Sequence, residues 1–306
     1  FTSASILEMM RLVERAGFPP GVVNVVTGTG ATVGEPLVTH PKVAKVAFTG
    51  GGLTGRRVYQ LAAASLKRVF LELGGKSPNI VFADADLAAA VPGTCAGVFG
   101  NQGEVCSAGS RVFVERSIYD DVLAAMTAEA ADIRLGSGLD PSTTMGPLVS
   151  AEQRDRVRGY IDLGVDEGAR LAFEGSGPDD PALAGGYFVP PVIFESTSND
   201  LRIAREEIFG PVMTVIPFTE VDEVVRLAND TEYGLAAAIW TRDISKALRT
   251  ARAVRAGIVW INDSQPAPSE SLWGGYKQSG IGRELGPYAL DAYLETKQIY
   301  INLGAS

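Results

Sequence analysis

Histidine and cysteine are almost absent from this chain of 306 residues, which has one His, His40, and two cysteines, Cys95 and Cys106. One histidine excludes a multi-histidine metal centre, and no metal is expected. His40 lies in Val38-Thr39-His40-Pro41, a turn context that reads as surface. Two cysteines cannot build a disulfide framework and fit a reducing compartment, expected to be the cytoplasm. No apolar run reaches the length of a membrane span, and the first residues do not read as a secretory signal. Basic residues are also short: 27 Lys and Arg stand against 36 Asp and Glu, for a net charge of −9. That balance argues against a nucleic-acid partner, which calls for a basic face. What remains, 46 % hydrophobic and 21 % charged residues, is ordinary globular composition with enough length for two domains.

Glycine-rich turns and short apolar runs alternate along the first quarter. Ser5 and Glu8 have capping-box spacing ahead of a helix that Gly17 ends. A strand is expected at 22–26, followed by Thr27-Gly28-Thr29-Gly30, and a short helix at 33–38. Next come a strand at 45–48, the turn Thr49-Gly50-Gly51-Gly52-Leu53-Thr54-Gly55, a helix at 57–66 and a strand at 69–71. The alternation is a βαβ pattern, hence a parallel sheet with both glycine turns at strand C-termini. A second α/β region begins at Ser77, with strands expected at 79–82, 112–114, 212–218, 236–240 and 258–261. Helices are expected at 87–98, 119–133, 151–168, 221–229 and 244–254, and 175–186 reads as an exposed connection. Residues 296–303 alternate like a strand, with Ile299, Ile301 and Leu303 on one face.

Three segments carry chemistry. Gly100-Asn101-Gln102-Gly103-Glu104-Val105-Cys106 puts a thiol in a polar, glycine-rich loop, where backbone N–H groups favour a thiolate. Cys95, inside Thr94-Cys95-Ala96-Gly97-Val98-Phe99, reads instead as a small core hydrophobe. Glu72 closes the run Val69-Phe70-Leu71 and precedes two glycines. A carboxylate there is either a base with a raised pKa or the partner of Arg68 or Lys76. The backbone of the Thr49–Gly55 turn can meet a pyrophosphate, although tight packing also explains such glycines. Glu207 and Phe209, in Glu206-Glu207-Ile208-Phe209-Gly210-Pro211, are either ligands or a loop charge and a core anchor. Trp240 and Trp260 read as core.

In this order and spacing, the motifs resemble the aldehyde dehydrogenase superfamily. The long run Leu272-Trp273-Gly274-Gly275-Tyr276-Lys277-Gln278-Ser279-Gly280-Ile281-Gly282-Arg283-Glu284-Leu285-Gly286 is similar to its C-terminal signature. The resemblance implies an α/β fold made of three parts. Residues 1–74 are expected to form the C-terminal half of a Rossmann-type NAD(P)-binding domain, and 75–275 a catalytic α/β domain. Residues 276–306 are expected to return to the cofactor side and end in an oligomerisation strand. It implies Cys106 as nucleophile, Glu72 as the base that activates water, and Glu284 as a second glutamate near the pocket. It implies NAD or NADP on Gly30, Gly50, Gly51, Thr54, Glu207 and Phe209, with Gly51 standing where a serine is more usual. Trp273 and Val105 are expected in the substrate pocket. Trp273 and Trp260-Ile261-Asn262-Asp263 are similar to the branch that oxidises betaine aldehyde and aminoaldehydes, since a cation gains from an indole face. A tunnel for an apolar aldehyde stays open beside that. Members begin well before residue 1, so the chain is expected to be N-terminally truncated relative to the family. A small-molecule aldehyde and a homodimer or homotetramer are the expected partners. Two other readings stay open: a CoA-acylating relative, against which Glu72 counts, and an inactive fragment serving as an interaction module.

Overall fold

The computed structural model of the protein describes residues 1–304. In chain order the first elements are α1 (Ser3–Arg15), a π-helical turn at Gly30–Gly34, α2 (Glu35–Thr39), β1 (Lys45–Thr49), α3 (Gly52–Ala63) and β2 (Arg68–Glu72). Then come β3 (Pro78–Val81), α4 (Leu87–Phe99), β4 (Arg111–Glu115), α5 (Tyr119–Ala131), α6 (Ala151–Asp166), β5 (Arg170–Glu174) and β6 (Val192–Glu195). The chain continues through α7 (Arg202–Arg205), β7 (Val212–Phe218), α8 (Val221–Asn229), β8 (Ala236–Trp240), α9 (Ile244–Ala253), β9 (Ile258–Ile261) and β10 (Gly280–Ile281).

Among the described residues these strands form two sheets. The larger has the order β5-β6-β7-β4-β3-β8-β9 and is parallel except where β5 meets β6. Its inner strands, β6, β7, β4, β3 and β8, are buried on both faces, which explains their near-continuous apolar runs. Along β3 and just beyond, Ile80 and Phe82 pack with Phe113, Ile216 and Val224 on one side. Val81 packs with Val112, Val114 and Met126 on the other. Helix starts follow side-chain chemistry: Ser150 Oγ accepts from Gln153 N–H before α6, and Asp243 accepts from Ser245 and Lys246 N–H before α9.

The smaller sheet, β1-β2-β10, puts β2 between a parallel β1 and an antiparallel β10. Because β1 and β2 run together, Thr49 and Glu72 pair at their C-terminal ends. Gly280 of β10 lies opposite Glu72 from the other side. The parallel α/β architecture expected from the sequence is therefore present.

Three local readings of the sequence are corrected. Residues 22–26 form no strand; Val22 and Val26 are exposed, and no neighbouring strand supplies partners. The Ser5–Glu8 pair makes no capping box; Thr2 is the N-cap of α1, and Ser5 Oγ donates to its carbonyl. The tail at 296–303 pairs with no strand in this single chain, and Ile299, Ile301 and Leu303 face solvent. β5 and β6, which flank the 175–186 connection, were not anticipated; β5 carries a bulge between Leu171 and Phe173. No helix among the described residues is long and apolar enough to cross a membrane.

Candidate active site

Glu72 ends β2 and is 4 % exposed. It does not pair with Arg68 or Lys76. Arg68 turns away to the Leu294 carbonyl and Glu295, while Trp273 Nε1–H donates to Glu72 Oε2 at 2.8 Å. Burial pushes the Glu72 carboxyl up to about 7, against the pull of the Trp273 donor and the Gly275 N–H. Trp273 is held by reciprocal backbone bonds with Glu284, at 2.7 and 2.8 Å. The C-terminal signature thus folds back onto β2, with Ser279 O accepting from Leu73 N–H and Ser279 Oγ donating to Gly74 O.

The turn after Glu72 joins the two sheets and gathers the remaining groups. Gly75 N–H donates to Glu207 Oε1 at 3.2 Å. A methyl on Gly75 would overlap the Cys106 carbonyl oxygen, so the nucleophile loop rests directly on this backbone. Cys106 is half-buried. Burial, then the Glu72 and Glu207 carboxylates, push its thiol up to about 11, while the Ser107 N–H works the other way. Both carboxylates therefore act on the sulfur. Cys95, by contrast, is buried in the core with its thiol driven to about 12 by burial.

The loop that delivers Cys106 is wound in an unusual way. Asn101, Gln102 and Gly103 all have positive φ, at 49°, 58° and 72°. Gly103 is required there, because a side chain would strike the Gly210 carbonyl. Glu104 Oε1 accepts from Val149 N–H at 3.1 Å and ties the loop to the segment before α6. On the far side, Ser107 Oγ donates to Gln265 Oε1 at 2.5 Å, and Gln265 Nε2 donates to Ser107 O at 3.1 Å. Gln265 was not anticipated, and Lys76 was considered only as a possible partner of Glu72. Lys76 is buried and shifted down to about 7 by burial and by the nearby Arg111, whose Nε–H donates to the Lys76 carbonyl. A local sequence holds no sign of either, since their neighbours come from distant segments.

Glu207 and Phe209 lie across a small cavity from the Cys106 loop, with Gly75, Gly103, Val105 and Ala108 among its other walls. Burial raises the Glu207 carboxyl, offset by Gly75 N–H, Lys76 and Arg156. Helix α6 holds this loop: Arg156 donates to Glu207 O at 2.6 Å and Gln153 to Phe209 O at 2.7 Å. Phe209 has φ 62° and is 37 % exposed, so it is not a core anchor. Trp240 and Trp260 are buried as expected.

The Thr49–Gly55 turn lies at the C-terminal end of β1, whereas the Thr27–Gly30 turn, expected at a strand end too, follows none because 22–26 form no strand. Gly50 N–H donates to Glu72 O at 3.0 Å, which fixes the β1 turn beside the base. Gly51 is the N-cap of α3 and no side chain caps this start, so first-turn N–H groups, near the exposed Thr54, remain free for an anion. The start at Gly30 differs: Thr29 and Thr32 cap each other there reciprocally.

Residues 1–299 match the aldehyde dehydrogenase family. Betaine aldehyde dehydrogenase of Bacillus subtilis is 48 % identical over 301 residues, covering 98 % of this chain and 61 % of the relative. Retinal dehydrogenase 2 of Mus musculus is 45 % identical over 303 residues, covering 99 % and 58 %. The NAD+ complex of an aldehyde dehydrogenase from Bacillus cereus superposes with a TM-score of 0.93 at 47 % identity, covering 98 % of this chain and 60 % of that one. The chain thus spans about three fifths of the length of these relatives. A match across nearly the whole sequence, with the same fold at this identity, means that the chain belongs to the aldehyde dehydrogenase family.

Proposed function

We propose that the protein oxidises an aldehyde to a carboxylic acid with NAD(P)+ through a covalent intermediate on Cys106. The observation that carries this reading is the meeting of three segments at one turn. Glu72 precedes Gly74-Gly75, Glu207 accepts from Gly75, and the Cys106 backbone lies against Gly75. Cys106 sulfur bonds to the carbonyl carbon as the C=O π bond opens and the thiol proton passes to the carbonyl oxygen, giving a thiohemiacetal whose hydroxyl proton is lost to solvent when C=O re-forms on oxidation. The chemistry that bound NAD(P)+ supplies is acceptance of a hydride, with its two electrons, from that carbon. The resulting thioester is cleaved by water: a C–O bond forms, the C–S bond breaks, and Glu72 takes the water proton. A carboxyl near neutrality suits that task, and its presence favours hydrolysis over transfer to CoA.

The residues support a dinucleotide. The uncapped start of α3 offers N–H groups to phosphate, with Gly50, Gly51 and Thr54 around it, and the Gly30 turn is proposed as a second contact to the dinucleotide. Glu207 offers a carboxylate to vicinal ribose hydroxyls, and Phe209 an exposed ring beside it. Trp273 and Val105 are proposed to line the aldehyde pocket, with Glu284 beside the base. Relatives named for betaine aldehyde and retinal favour an aldehyde carrying a bulky group, and the indole of Trp273 favours a cationic one. The division at 74/75 and 275/276, a homodimer or homotetramer joined through the exposed tail at 296–303, and a cytoplasmic setting for the free thiols belong to the same proposal.

In the intact protein, Cys106→Ala is expected to abolish NADH formation. Glu72→Gln is expected to keep a first burst of NADH and lose about 10²–10⁴-fold in steady turnover. Full turnover by Cys106→Ala would remove the nucleophile assignment. Betaine aldehyde is expected to exceed neutral aldehydes of similar size; the reverse order would remove the cationic substrate.

A further inference from the structure

The two oxygens of Glu72 are treated differently. Oε2 receives the Trp273 indole N–H at 2.8 Å, whereas Oε1 is buried and makes no well-formed hydrogen bond among the described residues. Trp273 is itself fixed at both ends. Its backbone is bridged to Glu284, and its ring packs at 6.4 Å and 48° against Trp260. Trp260 is tethered in turn through its Nε1–H to Pro266 O at 3.0 Å.

We propose that Trp273 is a positioning residue for the base: its indole N–H holds Oε2, leaving Oε1 as the oxygen that takes the proton. This rests on the reading of Glu72 as base. It goes beyond a pocket-lining role for Trp273, because an apolar ring of the same shape lines a tunnel equally well. The choice of donor matters. An indole N–H only donates; it neither accepts the proton nor titrates, so it orients the carboxylate without competing for its task. A donor on the charged form also opposes the cost of burial. The other groups acting on Glu72 are the Gly275 N–H and Arg283, which favour its charge less than Trp273 and stay in place in a Trp273 variant, and Glu284, which disfavours it; Cys106 feels the Glu72 charge across the site.

Glu72 works as a carboxylate, so hydrolysis rises with pH through its pKa. Removing the donor weakens the charged form and moves that rise to higher pH. Trp273→Phe in the intact protein keeps a ring and deletes the N–H. The acidic limb of steady turnover is expected to move up by about one pH unit, the scale of one charge-assisted hydrogen bond. A purely structural role lowers the rate without moving the limb.

A second readout needs neither substrate nor cofactor. Tryptophan emission is expected to titrate with a midpoint of about 7, and the step is expected to vanish in both Glu72→Gln and Trp273→Phe. Circular dichroism of both variants checks that they are folded. If Glu72→Gln leaves turnover and limb untouched, the base itself is misassigned and this inference falls with it. If Glu72→Gln removes the limb but Trp273→Phe leaves it in place, or the emission step survives in Trp273→Phe, the positioning role alone is overturned.

Discussion

Every residue of β8 is buried, whereas none of β1 is. The same contrast separates the helices. Seven residues of the apolar α4 are buried, while the strongly amphipathic α1 buries none. Both regions have regular elements, so local pattern is enough to specify strand and helix in each. Burial is a separate matter. It requires neighbours, and β4, β3 and β8 have strands on both sides while β1 has only β2. The candidate site lies where the regions meet. Cys106 and Glu207 come from loops of the well-buried sheet, and Glu72 from the less covered one, where β10 and Trp273 reinforce it. The nucleophile is thus placed by a rigid core and the base by a few specific bonds.

The sharpest way to break that comparison is at the joint. Gly75→Ala drives a methyl into the Cys106 carbonyl oxygen, which is backbone and cannot rotate aside. Either the Glu72 strand or the Cys106 loop must move. Displacements of about 1 Å at reacting groups cost about 100-fold in rate, and overpacking costs about 1–3 kcal/mol in stability. Steady-state turnover and urea unfolding of the intact protein measure both. Full activity in this variant would show that the spacing of base and nucleophile is not set at Gly75.

Within the larger sheet, Ile193→Ala tests the core. Ile193 is completely buried in β6, packed with Met213, Val215 and Met126. Deleting its methyls leaves a cavity that close-packed neighbours cannot fill. The expected loss is about 2–5 kcal/mol, read from the midpoint of chemical denaturation. Little change would mean that the sheet at β6 yields far more than its burial implies.

Much of this was legible in the sequence, for reasons that differ by residue. The bounds of β7, β8, β9 and α8 follow from apolar runs broken by Gly, Asp and Asn, because those strands and that helix bury what their pattern displays. Residues 22–26 carry an equally good strand pattern and form none, since a strand also needs a partner. β5 was hidden by its bulge and by the charges of Arg170 and Glu174. At the site, Cys106, Glu72 and Glu207 stood out through motif and resemblance. The tie from Trp273 to Glu72 did not. It spans 201 positions, and nothing local to either residue announces the other. Gln265 was missed for the same reason: its meaning lies in Ser107, which only the fold brings beside it.

The smallest expected effect is the matching deletion in the exposed region. Leu12 lies on α1 and is 56 % exposed, so Leu12→Ala removes methyls that water already touches. Little transfer free energy is lost, no cavity is left, and alanine is the better helix former. The stability change is expected within about 0.5 kcal/mol, read by the same denaturation midpoint as Ile193→Ala. Side by side, the two variants delete apolar groups of similar size from elements of similar regularity. A gap of several kcal/mol between them exceeds the difference in helix and strand propensity and therefore measures mainly burial. A loss of 2 kcal/mol or more at Leu12, on the scale of a buried leucine, would mean that the apolar face of α1 is covered in the protein as it exists in solution. The poor burial of the first region would then be a property of the isolated chain rather than of its sequence.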